Sequence, residues 1–238
     1  MQSREPIFNA PPVIAWLLGL LVLVHVAMSQ LSDAHWSDVM ETLALIPARY
    51  GTGRALYGQG WVGLTSLVTH QLVHGDVTHL VLNSAWLLAF GSAVASRIGA
   101  WRFLAFAVLS GIAGGLAFIA LHLGDNTLMV GASGALAGLM GGAFRFLFSA
   151  FDDGGPAAFR GDPRLIRRMS LAEVLRDRRG ALAIGFWVVL NFATALIAPL
   201  LTSAGGIAWE AHLGGFAFGL VTFGLFDPPR PQMRAALH

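Results

Sequence analysis

Two long apolar runs decide the fold of this chain: FLAFAVLSGIAGGLAFIALHLG at residues 103–124 and NTLMVGASGALAGLMGGAF at residues 126–144. Only Asp125 separates them. A helix needs about 20 mostly apolar residues to cross the hydrocarbon core of a bilayer. Each run is therefore long enough for one membrane-spanning helix.

The composition of the whole chain points the same way. Of its 238 residues, 55% are hydrophobic and 12% are charged, and the mean hydropathy is +0.66. These values predict an integral membrane protein with one domain, 1–238, and no sizeable soluble part. The isoelectric point near 9.9 does not indicate nucleic acid, because most of the basic residues, all of them arginines, lie between apolar segments. The absence of cysteine excludes disulfides and thiolate chemistry.

We predict an all-α, polytopic membrane protein with a bundle of six transmembrane helices. A further run, 55–75, contains several glycines and polar residues, and only Asp76 separates it from the next span, so we predict an interfacial or re-entrant segment there. The long first outer loop covers 32–76, and its stretch from Trp36 to Leu45 suggests an interfacial helix. The predicted spans cover about 13–31, 77–96, 103–124, 128–147, 181–201 and 207–226.

The arginines indicate the orientation, because short cytoplasmic loops collect basic residues. With six spans and a cytoplasmic N-terminus, only Arg49 and Arg54 fall on the outer side. We therefore expect both termini to be cytoplasmic, in a multi-pass protein of the bacterial inner (plasma) membrane. The inner loop, 151–179, should be a solvated connector close to anionic lipid. The inner arginines are Arg4, Arg97, Arg102, Arg145, Arg160, Arg164, Arg167, Arg168, Arg176, Arg178, Arg179, Arg230 and Arg234.

Four polar residues fall at one depth of this bundle. His79, Asn83, Ser133 and His212 lie in the first turns of the second, fourth and sixth spans, all of which run from outside to inside. A rise of about 1.5 Å per residue puts each within roughly 10 Å of the outer end of its helix. Polar groups are costly in hydrocarbon unless they are paired, so their convergence predicts a functional site.

Ser133 lies in the sequence Gly131-Ala132-Ser133-Gly134. Serine in a membrane helix commonly bonds only to its own backbone. Here, small neighbours leave the hydroxyl accessible, and a nearby helix N-terminus offers free N–H groups to an oxyanion. Gly134 and Gly138 are four residues apart and should let another helix approach closely.

His212 shares its helical face with Gly215 and Gly219. Its imidazole is either a hydrogen-bonding group between helices or a base for a serine hydroxyl. Glu210 lies about 200° around the helix from it and no other acid falls within a span, so we expect a Ser133–His212 dyad without a carboxylate.

His79 and Asn83 share one face of the second span. Both can donate hydrogen bonds to an oxyanion, or they serve only as polar contacts between helices. His70, His74 and His79 lack the acid and cysteine partners of a zinc site, and we predict no metal.

These motifs resemble the rhomboid family of intramembrane serine proteases over nearly the whole chain. Residues 131–134 resemble the family's G-x-S-G in the fourth span, and 79–83 resemble its H-x-x-x-N in the second. Residues 211–219, AHLGGFAFG, resemble its A-H-x-x-G-x-x-x-G in the sixth. Each motif alone is common, but three in order on the corresponding spans are specific.

The resemblance implies a cofactor-free endopeptidase that cleaves transmembrane segments of membrane proteins through an acyl-enzyme. It implies Ser133 as nucleophile and His212 as base. It places the oxyanion at His79, Asn83 and the Ser133 N–H, and we add Gly131 to this oxyanion and substrate-binding region.

Two departures accompany the resemblance. Many relatives have Trp-Arg in the first outer loop, where this chain has Thr65 and Ser66. Many also have an aromatic residue one turn after the serine, stacked on the histidine, where this chain has Ala137. Two other functions stay open on sequence grounds: a catalytically silent rhomboid-like protein that binds membrane helices, and a channel or transporter with a histidine proton path.

Overall fold

The structure is a computed structural model that describes residues 10–51, 60–152, 162–201 and 206–228. Its regular elements in these ranges are helical, apart from one isolated bridge between Leu45 and Met129. Five of the arginines that indicate the orientation lie outside the described residues: Arg4, Arg54, Arg160, Arg230 and Arg234. The predicted all-α class is confirmed.

Ten α-helices follow one another along the described chain. A π-helical turn, Leu87–Gly91, joins α4 and α5 into one span, Val77–Ile98. Three 3-10 turns, Pro47–Tyr50, His70–Leu72 and Pro163–Leu165, lie in the connections. The helices are α1 (Pro12–Ser29), α2 (Asp33–Leu43), α3 (Gly60–Thr69), α4 (Val77–Trp86), α5 (Ser92–Ile98), α6 (Ala100–Leu121), α7 (Ser133–Asp152), α8 (Leu171–Arg176), α9 (Arg178–Leu201) and α10 (Trp209–Phe226).

Among the described residues, five helical segments are long and apolar enough to cross a membrane: Pro12–Ser29, Val77–Ile98, Ala100–Leu121, Ser133–Asp152 and Arg178–Ile197. They support the predicted polytopic membrane protein. The sixth predicted span, 207–226, corresponds to α10, which has 18 residues but carries Glu210 and His212 in its first turn and is not one of the five.

The outer loop holds two helices that are too short to cross a bilayer. They are α2, with 11 residues, and α3, with 10 residues, which falls in the ambiguous run 55–75. Residues 52–59 of this loop lie outside the described residues. Asp76 ends the loop by accepting a hydrogen bond from the N–H of His79 (2.8 Å), which caps the start of α4.

The centre of the bundle is α7: 89% of an 18-residue stretch of this helix is buried, whereas only 11% of such a stretch in Arg178–Ile197 of α9 is buried. Glycines bring α10 against α7. A Cβ atom on Gly215 would collide with the carbonyl of Gly134, and one on Gly219 would collide with the carbonyl of Gly138. The two backbones are therefore in direct contact, as small residues permit in membrane helices.

On its other side α7 meets α6 through equally small residues. A Cβ atom on Gly138 would overlap the side chain of Ser110, and the Cα of Gly114 lies 3.8 Å from the Cβ position of Gly134. The helices α6, α7 and α10 thus form a tightly packed unit, and the remaining helices surround it.

Most described residues of the inner loop are exposed, as expected for a solvated connector, but three side chains and one arginine fix the loop to the bundle. Ile166, Met169 and Val174 are buried. Arg97, 2% exposed, pairs with Asp227 at 2.8 Å and donates to the carbonyls of Pro163 and Ile166, both at 2.9 Å. Residues 153–161 of this loop lie outside the described residues.

Candidate active site

A cavity of about 230 Å³ opens between the second half of α4, the first two turns of α7, the first turn of α10 and the side of α9. Three residues predicted from the sequence line it together: Asn83, Ser133 and His212. Apolar side chains make up most of the remaining wall. The other lining residues are Trp86, Leu136, Ala137, Met140, Trp187, Leu190, Asn191, Thr194 and Ile207.

Ser133 is the first residue of α7. The chain reaches it through an irregular stretch, in which Met129 pairs with Leu45 and Gly131 has a φ of +115°. The N–H of Leu136 makes the first bond of the helix, to the carbonyl of Ala132 at 3.0 Å. The N–H groups of residues 133–135 therefore have no carbonyl of their own helix to bond, so they can stabilise an anion beside the Ser133 hydroxyl.

His212 lies in the first turn of α10 and bonds to a residue that the sequence reasoning missed. Its Nδ1 is 2.8 Å from the Oδ1 of Asn191 on α9, and the Nδ2 of Asn191 donates to the carbonyl of Trp209 at 3.0 Å. Asn191 is only 4% exposed. The signal was available, because a polar amide in an otherwise apolar span is unusual.

Ser133 and His212 come from helices in direct contact. The carbonyl oxygen of Ala211, next to His212, lies 3.4 Å from the Cβ position of Gly134, next to Ser133. Within the described residues no hydrogen bond joins the two side chains directly. Catalytic hydrogen bonds are often long before substrate binds, so a shared cavity on touching helices is compatible with a nucleophile and its base.

Asn83 and His79 occupy different places. Asn83 lines the cavity, and its Nδ2 donates to the carbonyl of His79 at 2.8 Å, which leaves the second N–H of that amide for another acceptor. His79 is not a lining residue. Its Cε1 and Nε2 lie 2.6 Å from the Cβ position of Gly131, and its ring centroid is 5.1 Å from that of His74.

The N–H of Gly131 is already bonded and is not free to stabilise an oxyanion, and the place of Gly131 in the substrate-binding region stays a prediction. Its N–H donates to the carbonyl of His70 at 2.8 Å. Gly131 also has a structural role. Because it has no Cβ atom, it tolerates a positive φ and leaves room for the ring of His79.

His70 anchors the outer loop where the family's Trp-Arg is missing. Its Nδ1 is 2.7 Å from the carbonyl of Ser66, and the Ser66 hydroxyl is 2.9 Å from that of Tyr50. Burial lowers the pKa of His70 to about 4, against the opposing hydrogen bond to Ser66, so the ring is neutral at pH 7. Thr65 donates to the carbonyl of Trp61 in its own helix at 3.0 Å.

Ala137 lines the cavity and presents no aromatic ring to His212. The nearby Trp187 of α9 stacks on Phe216 of α10, with ring centroids 4.4 Å apart. The described contact that holds the imidazole of His212 is instead the amide of Asn191.

Glu210 does not take part in this cavity. Its carboxylate lies 2.8 Å from the Nε2 of His122 at the end of α6, and His122 also reaches Asp125 at 3.1 Å. The pKa of His122 is raised, chiefly by the hydrogen bond to Glu210 and further by the one to Asp125. The pair joins the C-terminal end of α6 to the first turn of α10.

Residues 61–227 match the Rhomboid domain family. Because this match covers well over half of the chain, the protein belongs to the rhomboid family of polytopic membrane proteins. The chain is similar to the Bacillus subtilis (strain 168) protein named "Putative rhomboid protease YdcA", with 32% identity over 59% of this chain and 65% of that protein.

It is also similar to an uncharacterized protein of Mycobacterium tuberculosis strain H37Rv and to one of Mycobacterium bovis, each with 27% identity over 73% of this chain and 63% of the relative. The matched regions thus span slightly less than two thirds of these relatives' lengths. The family itself is established by the match of residues 61–227.

Proposed function

We propose that this chain is an intramembrane serine endopeptidase that cleaves transmembrane segments of other membrane proteins. The observation that carries the proposal is that Ser133 and His212, on touching helices, line one cavity together with Asn83. Membership of the rhomboid family supports it, as does the protease named among its relatives.

In the proposed reaction the Ser133 hydroxyl attacks the carbonyl carbon of the scissile peptide bond while His212 accepts the hydroxyl proton. The resulting oxyanion is stabilised by the Ser133 N–H at the start of α7 and by the free amide N–H of Asn83. The C–N bond then breaks as His212 returns the proton to the leaving amine. Water, activated by His212, hydrolyses the acyl-enzyme and regenerates Ser133.

His79 supports this site through its contact with Gly131, two residues before the nucleophile. Its imidazole can also donate to the oxyanion when the ring reaches the cavity. Either way, loss of the imidazole should lower turnover by less than loss of Ser133 or His212, because the other two donors stay in place.

The substrates in this proposal are transmembrane helices with helix-breaking or small residues near the cut. A peptide bond in a helix is shielded by the helix's own hydrogen bonds, so the segment must unwind before Ser133 can reach it. The cavity wall is mostly apolar, which suits such a segment. We propose the bacterial inner membrane as the location, with both termini in the cytoplasm.

The test uses the purified full chain in detergent and in liposomes. A fluorophosphonate probe should label wild-type protein and Ser37→Ala, an exposed serine control on α2, but not Ser133→Ala. Against a panel of single-span proteins, Ser133→Ala and His212→Ala should each lose at least about 1,000-fold in cleavage rate. Turnover by folded Ser133→Ala would refute the assignment.

Two other outcomes would replace the proposal. If the folded protein is not labelled by the probe and does not cleave single-span proteins, but co-purifies with them, it is a catalytically silent protein that binds membrane helices. Proton flux into liposomes, with no labelling of the protein by the probe, would identify a transporter.

A further inference from the structure

We infer that Asn191 is a positioning residue that orients His212 as the base, so that the site works as a Ser133–His212–Asn191 set rather than a dyad. The inference rests on the proposed function and extends it to a residue on a fourth helix, α9. The observation behind it is the pair of hydrogen bonds that Asn191 makes, to His212 and to Trp209.

These two bonds fix the proton on His212. The carbonyl of Trp209 can only accept, so the Asn191 group 3.0 Å from it must be the NH₂. The Asn191 oxygen therefore faces His212, and it can only accept as well. The Nδ1 of His212 must then carry the proton, and the lone pair needed to accept the Ser133 proton is on Nε2.

Asn191 thus has the role that the third group has in a serine catalytic triad, where it holds the imidazole in one tautomer and one orientation. Asn191 does so as a neutral amide, so no negative charge has to be buried beside the cavity. At 4% exposure the amide meets little competition from water, which strengthens its hold on the ring.

A purely structural role for Asn191 is the competing explanation. The bond to Trp209 joins α9 to the start of α10, and the rings of Phe192 and Trp209 make a second contact there, with centroids 4.7 Å apart. Loss of Asn191 could therefore loosen α9 without any effect on the tautomer of His212.

Two substitutions separate these explanations. Asn191→Leu keeps the approximate shape and removes both hydrogen bonds. Asn191→Asp keeps an acceptor for His212 and loses the donor to Trp209. For a positioning residue, kcat should fall roughly 10- to 100-fold in Asn191→Leu, with KM changed by less than about threefold, and should recover substantially in Asn191→Asp. For a structural residue, both variants should be equally impaired.

Leu196→Ala, on the lipid-exposed face of the same helix, is the matched control. It should retain wild-type kcat and KM. Thermal unfolding in detergent checks that each variant is folded before its kinetics are compared.

Nitrogen NMR of ¹⁵N-histidine-labelled protein gives a readout that does not need turnover. The His212 resonances, assigned by their loss in His212→Gln, should show a protonated Nδ1 and an unprotonated Nε2 in wild type, and a mixture of tautomers in Asn191→Leu. An unchanged tautomer in Asn191→Leu, or equal kcat in wild type and Asn191→Leu, would overturn the inference. If wild-type protein neither labels nor cleaves, the proposed function fails, while the NMR comparison still decides whether Asn191 sets the tautomer.

Discussion

The carbonyl oxygen of Gly138 on α7 occupies the place that a Cβ atom on Gly219 of α10 would need. At this point the two helices therefore touch through backbone atoms, next to the cavity-lining residues Ala137 and Met140 of α7. Gly185 on α9 is the opposite case, because nothing lies within 4 Å of its Cβ position.

Gly219→Ala should accordingly destabilise the folded protein by about 1–3 kcal/mol or more, since the added methyl group must push against backbone. Gly185→Ala adds the same methyl group in open space and should change stability by less than about 0.5 kcal/mol. Thermal unfolding in one detergent compares the two variants. Equal melting temperatures would contradict the close packing of α7 and α10.

Gly131→Ala tests the approach to the nucleophile. The substitution puts a side chain at a φ of +115° and 2.6 Å from the ring of His79. Gly124→Ala is the matched control, because Gly124 also has a positive φ, +90°, with nothing within 4 Å. Both variants should lose roughly 1–3 kcal/mol from backbone strain.

Only Gly131→Ala should also impair proteolysis. Gly131 is two residues before Ser133, and only in this variant must the ring of His79 move. Cleavage rate and fluorophosphonate labelling at a temperature where both variants are folded provide the comparison. Equal activity of the two variants would show that His79 does not contribute to the active site.

Arg97→Met tests the packing of the inner side. Its partner Asp227 would keep a nearly buried carboxylate, with 6% of the side chain exposed, and lose the bidentate guanidinium. Removal of one member of a buried ion pair costs about 3–5 kcal/mol. The longer contact of Arg168 with Asp227, 3.4 Å, should keep the loss toward the lower end of that range. Arg167→Met breaks the exposed pair with Glu173 and should change the stability little, because water screens this pair.

Unfolding midpoints of the two arginine variants in detergent give the measurement. The double variant Arg97→Met with Asp227→Leu should recover part of the loss, because no uncompensated charge is then buried. Similar losses in Arg97→Met and Arg167→Met would contradict the description of the Arg97 site.

The contact between His122 and Glu210 predicts a pH dependence of stability. The hydrogen bond to Glu210 raises the pKa of His122 above its ordinary value of 6.5, so protonation of His122 favours the folded state. This contribution is complete below pH 6.5 and is lost as the pH rises through the raised value. The melting temperature should thus fall over that interval.

Glu210→Gln should flatten this part of the profile, because the charge that favours the imidazolium is removed. His35→Gln is a control, since His35 lies on the exposed α2 and its ring bonds only to Ser32 among the described residues. A Glu210→Gln profile with the wild-type slope would contradict the assignment.

The spans could be predicted from the sequence because the length of an apolar run is a local property. The predicted span 207–226 and the helix Trp209–Phe226 differ by two residues at one end. The span predicted to start at 128 begins instead at Ser133, because Met129 pairs with Leu45, and such a distant pairing leaves no periodic signal.

The candidate site divides in the same way. Ser133, His212 and Asn83 could be placed at one depth from spacing alone, and they line one cavity. Asn191 could not be found by the search for an orienting carboxylate, because the group that bonds His212 is a neutral amide on another helix. The contacts that fix the inner loop to the bundle were missed for a similar reason: Arg97 and Arg145 bond to backbone carbonyls, which any sequence provides.

The π-helical turn Leu87–Gly91 lies within the continuous second span and rotates the side chains that follow it about the helix axis, relative to those that precede it. One additional residue in a turn shifts everything beyond it by about 100° on a helical wheel. Asn83, before the turn, faces the cavity, and Arg97, after it, faces Asp227. Deletion of a single residue such as Ala89 would therefore leave the composition and length of the span almost unchanged and still put its two ends out of phase.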